Sequence, residues 1–187
     1  ASFYAATTII NSTISGNTAN TKGGGIFNEY STLTIQNSTI SGNSVSNASE
    51  AVKGGGIYNF GDLFLQNSTI TGNTASSASN SAQGGGIFAF SETTYDEYYG
   101  FGHNGHIEIK NCTISRNQVT SGDAKGAGLF VKNTNGIDFI YNSIIAQNIN
   151  NTSSYDCYVE TGSQIYDYDY NVVEYCNAMV FYDETSI

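Results

Sequence analysis

Proline and tryptophan are absent from this chain, methionine occurs once, and basic residues number six against sixteen acidic ones. Leu, Glu, Lys, Arg and Met, the strong helix formers, are scarce, which argues against a helical or mixed globular protein. A chain so poor in Lys and Arg, with a formal net charge of −10, repels phosphate backbones and anionic headgroups, so nucleic acid and membrane surfaces are excluded as partners. No apolar run approaches the length of a membrane span, and no basic, apolar-cored leader precedes Ala1. If the protein is secreted, as argued below, its leader is expected to have been removed. Acidic residues are also scarce at first: residues 1 to 90 carry one net negative charge and the remainder nine.

What is present points to strands. The 187 residues include 21 Gly and 14 Tyr with many Asn, Ser and Thr, while Ile, Thr, Tyr and Phe supply the bulk. That length suits one domain spanning 1–187, read as an N-terminal edge strand at 1–10, an inserted loop at 91–106 and a C-terminal coil and tail at 149–187.

Repeats decide the architecture. Gly23-Gly24-Gly25-Ile26-Phe27-Asn28 recurs as Gly54-Gly55-Gly56-Ile57-Tyr58-Asn59, as Gly84-Gly85-Gly86-Ile87-Phe88 and, more loosely, as Gly126-Ala127-Gly128-Leu129-Phe130. A second block follows, clearest in Leu33-Thr34-Ile35-Gln36-Asn37-Ser38-Thr39-Ile40-Ser41-Gly42-Asn43. Its opening Asn falls at 11, 37, 67, 111 and 142, at intervals of 26, 30, 44 and 31. A period near thirty, punctuated by Gly and Asn between short alternating segments, suits one coil of a β-solenoid. A leucine-rich repeat needs a Leu framework and a helical side, and neither is present. Leu33 and Ile35 share a face, whereas Ile35 and Ile40 are five apart, so the chain bends between them. Asn37 is the natural bend residue, since Asn tolerates left-handed angles, and Ser38 and Ile40 then point inward. Cys112 replaces the Ser of this position in one repeat and reads as an unpaired core thiol.

These residues resemble a known group. Gly-Gly-x-Ile followed by Ile-x-x-Asn, as at Ile14 to Asn17, Ile40 to Asn43, Ile70 to Asn73, Ile114 to Asn117 and Ile145 to Asn148, looks like the paired motifs of polymorphic outer-membrane-protein repeats. Those belong to the pectate-lyase-like class of secreted right-handed β-helices. The resemblance covers roughly residues 7 to 176 and implies an all-β, right-handed, single-stranded parallel β-helix of about five to six coils, on a secreted or cell-surface protein. Asp156-Cys157, Tyr170-Asn171 and Cys176 are similar to the last coil of bacterial surface β-helices. A disulfide between Cys157 and Cys176 is expected to staple that coil in an oxidising compartment.

Candidate site residues are few. The Asn of the second block, Asn11, Asn37, Asn67, Asn111 and Asn142, are expected to form an inward ladder. That reading takes precedence over glycosylation at the Asn-x-Thr sequons that four of them open. Asn47, Asn150 and Asn151 lie in polar loops and are the candidate sugar-attachment sites. Lys22, Lys53 and Lys125 precede the Gly triplets as a row of solvated loop lysines. The Gly triplets lack the helix N-terminus a phosphate site needs.

The inserted loop collects Tyr95, Asp96, Glu97, Tyr98, Tyr99, His103 and His106, a set whose aromatic faces and carboxylates suit sugars or protein contacts. His103 and His106 lack a third zinc ligand, so no metal is expected. Tyr166-Asp167-Tyr168-Asp169-Tyr170 puts Tyr on one strand face and Asp on the other. Asp167 and Asp169, with Asp156 or Glu160, follow no calcium-loop spacing, and an acidic face in water is expected; no cofactor is assigned.

A lyase needs a base beside a uronate, and a glycosidase two facing carboxylates. Residues 1 to 90 offer only Glu29, Glu50 and Asp62, so the chain is read as non-enzymatic. The leading expectation is a secreted subunit that stacks on copies of itself, head to tail, into a fibre or surface appendage, with or without sugars. Behind it stand a monomeric adhesin or carbohydrate-binding helix and, last, a polysaccharide lyase or hydrolase.

Overall fold

The computed structural model describes residues 5–91, 105–133, 138–151, 155–168 and 170–181. Every regular element among them is a strand, and every strand pairing is parallel, so the chain winds as a β-solenoid of about five turns. One turn runs from Ile26–Gln36 through Thr39–Ser41, Ser44–Asn47 and Val52–Lys53 to the next triplet at Gly54. The following turn lays Ile57–Gln66 on Ile26–Gln36 in register, Ile26 on Ile57 and Leu33 on Leu63, with a bulge between Glu29 and Ser31.

Each inward position becomes a column of like residues. Leu33, Leu63 and Ile107 form one; Ile35, Leu65, Ile109 and Ile140 a second; Ile40, Ile70, Ile114 and Ile145 a third, all essentially inaccessible to solvent. Smaller residues, Val45, Ala75 and Val119 with Val52, Ala82 and Ala124, fill the narrow side. Alternation breaks at the bend as the sequence requires: Asn37, Asn67 and Asn111 have φ near +50° and the next residue turns inward. There Ser38, Ser68 and Ser143 are buried, and Cys112 takes their place as a buried free thiol. Each hydroxyl accepts the N–H of its counterpart one coil earlier, Ser12 to Ser38 at 3.0 Å and Ser38 to Ser68 at 3.1 Å.

The Gly triplets are required by contacts rather than by flexibility. Gly54 sits at φ +71°, which a side chain resists, and a Cβ on Gly56 would run into the Asn73 amide. Outside the coil, Phe27, Tyr58, Phe88, Phe130 and Tyr158 stack ring on ring, with centroids 5.0 to 5.6 Å apart and planes within 10°. The loop lysines are part of this stack rather than merely solvated: Lys22 lies 4.8 Å from the Tyr58 ring, Lys53 4.9 Å from Phe88 and Lys125 5.2 Å from Tyr158. Burial, and then the neighbouring Lys22 and Lys132, push the Lys53 ammonium below the usual lysine range.

Candidate functional site

The inward Asn ladder exists, but on other residues than expected. Asn11, Asn37, Asn67, Asn111 and Asn142 are solvent-exposed, and their amides meet only on the outside, Asn67 Nδ2 donating to Asn37 Oδ1 at 3.3 Å and Asn111 Nδ2 to Asn67 Oδ1 at 3.1 Å. A left-handed bend residue throws its Cβ outward, and the residue after it takes the interior. The inward column is Asn17, Asn43, Asn73, Asn117 and Asn148, one bend further on, in the space left by the third glycine of each triplet. Asn43 shows the pattern. Its N–H and Nδ2 both donate to Asn73 Oδ1 at 3.0 Å, and Nδ2 donates also to the Ile14 carbonyl of the preceding coil at 3.0 Å.

This column makes the two ends of the solenoid unlike. Every amide donates toward the C-terminus, and the last, Asn148, donates from N–H and Nδ2 to Asp156 Oδ1 at 2.6 and 2.8 Å. The Ser column ends likewise on Asn171, whose Oδ1 accepts the Ser143 N–H at 2.7 Å, and Asn177 Oδ1 accepts the Val159 N–H at 2.6 Å. Cys157 and Cys176, adjacent in register, are joined by a disulfide. Val180–Phe181 adds a further strand beside Ile165–Tyr168. The C-terminal end is therefore closed by side-chain caps and not simply open, although Tyr170, Val172 and Tyr175 stand exposed on it at 95%, 56% and 55%. Asp167 does not face water with an acidic strand surface: it turns inward and accepts from Asn171 Nδ2, while Tyr166 and Tyr168 face out. Burial raises the Asp156 carboxyl above the usual range, against the two Asn148 donors.

At the N-terminal end, Ala6–Ile10, Thr13–Ser15 and Thr18–Ala19 each pair on one side only, with the strands of the next coil. Ile9, Ile14 and Ile26 pack against the core but remain partly uncovered. Among the described residues no donor reaches Asn17 Oδ1.

Where the long strand is interrupted, a polar network replaces it. Ser91 ends one strand and accepts the Gly105 N–H on its hydroxyl at 2.6 Å. Asn133 Nδ2 donates to the Gly105 carbonyl at 2.8 Å and to Asp138 Oδ1 at 3.0 Å, and the Ile107 N–H donates to Asp138 Oδ1 at 3.0 Å. Asp138 is 1% exposed, and this burial, only partly offset by Ile107, Asn133 and His106, pushes its carboxyl up to about 6. The His106 N–H donates to Asp62 Oδ1 at 3.0 Å, and its ring lies 5.6 Å from Phe64 and 5.5 Å from Phe139.

Tyr95, Asp96, Glu97, Tyr98, Tyr99 and His103 lie outside the described residues, as does Asp169. Among the described residues no group of three His, Cys, Asp or Glu is placed to hold a metal. Of the candidate sugar sites, Asn47 Nδ2 donates to Glu50 Oε2 at 3.3 Å and Asn150 Nδ2 to the Ala124 carbonyl at 2.9 Å. Asn151 is exposed and engages only its Oδ1, with the Ser121 N–H. The chain matches no protein-family model, no curated protein and no solved structure.

Proposed function

We propose that this chain is a secreted, non-enzymatic structural subunit, wound right-handed like the surface β-helices its repeats resemble, that adds end to end into an extracellular fibre. The carrying observation is the first coil: three strands with one bare edge each, over the incompletely covered Ile9 and Ile14. A bare parallel edge beside uncovered apolar side chains is a template for another strand layer. The partner surface in this reading is the opposite end of a second copy, where Tyr170, Val172 and Tyr175 stand out. Two different surfaces in contact form a heterologous interface, which extends indefinitely unless a rotation closes it.

Electron microscopy and sedimentation velocity over a range of concentrations are expected to show filaments that shorten on dilution. Ile14→Lys on the bare edge, or Val172→Lys at the other end, should each leave monomers with little change in melting temperature. Because each variant retains one good end, a small fraction of Ile14→Lys mixed into wild type should shorten the filaments. Monomers at every concentration, or filaments indifferent to both substitutions, would sink the proposal.

A further inference from the structure

The outer face of the long sheet treats aromatic rings in two ways. The column from Phe27 to Tyr158 is stacked flat, its middle members Phe88 and Phe130 are 1% exposed, and lysines lie over it. That column satisfies itself. A second group lies on Asp138–Tyr141 and Ile165–Tyr168, which pair with Phe139 against Tyr166 and Tyr141 against Tyr168. The result is a two-by-two block of half-exposed rings, with centroids 5.4 to 5.9 Å apart and planes inclined by 23° to 57°.

The rows that contain this block continue toward the N-terminal end as polar side chains. Behind Tyr141 come Lys110, Gln66 and Gln36, and behind Phe139 come Glu108 and Phe64. Gln36 Nε2 donates to Gln66 Oε1 at 3.2 Å, and the Lys110 ammonium lies 5.8 Å from the Tyr141 ring. Ring faces followed by amides and a pair of opposite charges match the chemistry of a sugar, whose C–H faces stack on aromatics and whose hydroxyls need donors and acceptors. Strands step by ~4.8 Å along the solenoid axis, comparable to the rise of one pyranose in an extended glycan.

Charge selects among glycans. Glu108 and Lys110 cancel within the face, while the chain as a whole carries −10. A uronate or sulfated polymer would be repelled, and an uncharged one would not. We infer that the face bearing Phe139, Tyr141, Tyr166 and Tyr168 binds a neutral linear polysaccharide laid along the solenoid axis. This site is independent of the end-to-end contact, since its rings occupy the side of the coil.

The test is native electrophoresis of the full chain through gels containing xyloglucan, galactomannan or mixed-linkage glucan, with polygalacturonate as the charged comparison. Tyrosine emission supplies a second readout, because the chain has 14 Tyr and no Trp. At least one neutral glycan should retard the protein and quench its emission. Tyr141→Ala/Tyr168→Ala should weaken binding at least tenfold at an unchanged melting temperature. The milder Gln66→Ala should weaken it several-fold, and provides the answer if the double variant fails to fold. Both wild type and the assembly-deficient Ile14→Lys should bind, which separates this site from the proposed filament contact. Indifference to every neutral glycan, retardation by polygalacturonate alone, equal retardation of folded variants, or capture of a protein ligand with no glycan bound would each overturn the assignment.

Discussion

Replacing Asn73 with Ala is expected to lower stability by about 3–5 kcal/mol, the cost of breaking a buried hydrogen-bond network rather than a single bond. The residue is fully buried. Its Oδ1 is the acceptor for both the N–H and the Nδ2 of Asn43, and its own Nδ2 donates to Asn117 Oδ1 at 2.9 Å and to the Ile40 carbonyl at 3.0 Å. Truncation strands donors of the coil before and acceptors on both sides, where water has little room. The same change at Asn67, on the outward row, removes an exposed contact of 3.3 Å and should cost less than about 1 kcal/mol. Thermal or denaturant unfolding of the two variants, side by side, decides the matter. Equal effects would mean that the inward column is not what joins the coils.

The second large effect is a dependence on pH set by Asp138. Its folded-state carboxyl lies at about 6 against an ordinary 3.8, so the folded chain holds this proton more tightly than the unfolded one does. The associated stability is fully present below about pH 4 and is lost as pH rises through 6. At ~1.4 kcal/mol per unit of displacement the loss amounts to roughly 3 kcal/mol by pH 7. Burial of Asp156 acts in the same direction. Melting temperature should therefore rise as pH falls from 7.5 to 5. Asp138→Asn, which is uncharged at every pH and retains an acceptor for the Ile107 N–H, should melt higher than wild type at pH 7.5 and close to it at pH 4.5. Parallel pH profiles for the two proteins would refute this account of the site.

The solenoid could be read from the sequence because one coil is also one repeat. Gly-Gly-Gly-Ile and Asn-Ser-Thr-Ile recur at nearly constant intervals, so the columns of Ile and Leu follow once the coils are stacked. Which Asn faces inward was not legible from spacing. Asn37 and Asn43 stand six apart in the same repeat, both beside a bend and both recurring. The third glycine of each triplet held the missing signal, since a column without side chains leaves a space that something must fill, and Asn43 and Asn73 lie against it.

The aromatic block was half legible. Alternation alone placed Tyr166 and Tyr168 on one face, but Phe139 and Tyr141 join them only through a pairing between strands separated by an irregular stretch of the last coil. The polar network under the insertion was hidden for a similar reason. Ser91, Asn133 and Asp138 are distant in the chain, and each alone looks like an ordinary loop residue.

The inward column also gives the molecule a direction. Strand dipoles in sheets largely cancel, but the amides from Asn17 to Asn148 all point the same way and their dipoles add. During synthesis the earlier coil is finished first, with its amide donors already held in place. Each new coil needs only to bring an acceptor to them, and the series ends when the acceptor is a carboxylate, at Asp156. Winding from the N-terminus thus meets a matched partner at every step. A chain begun from the other end would have to bury each acceptor before its donors existed.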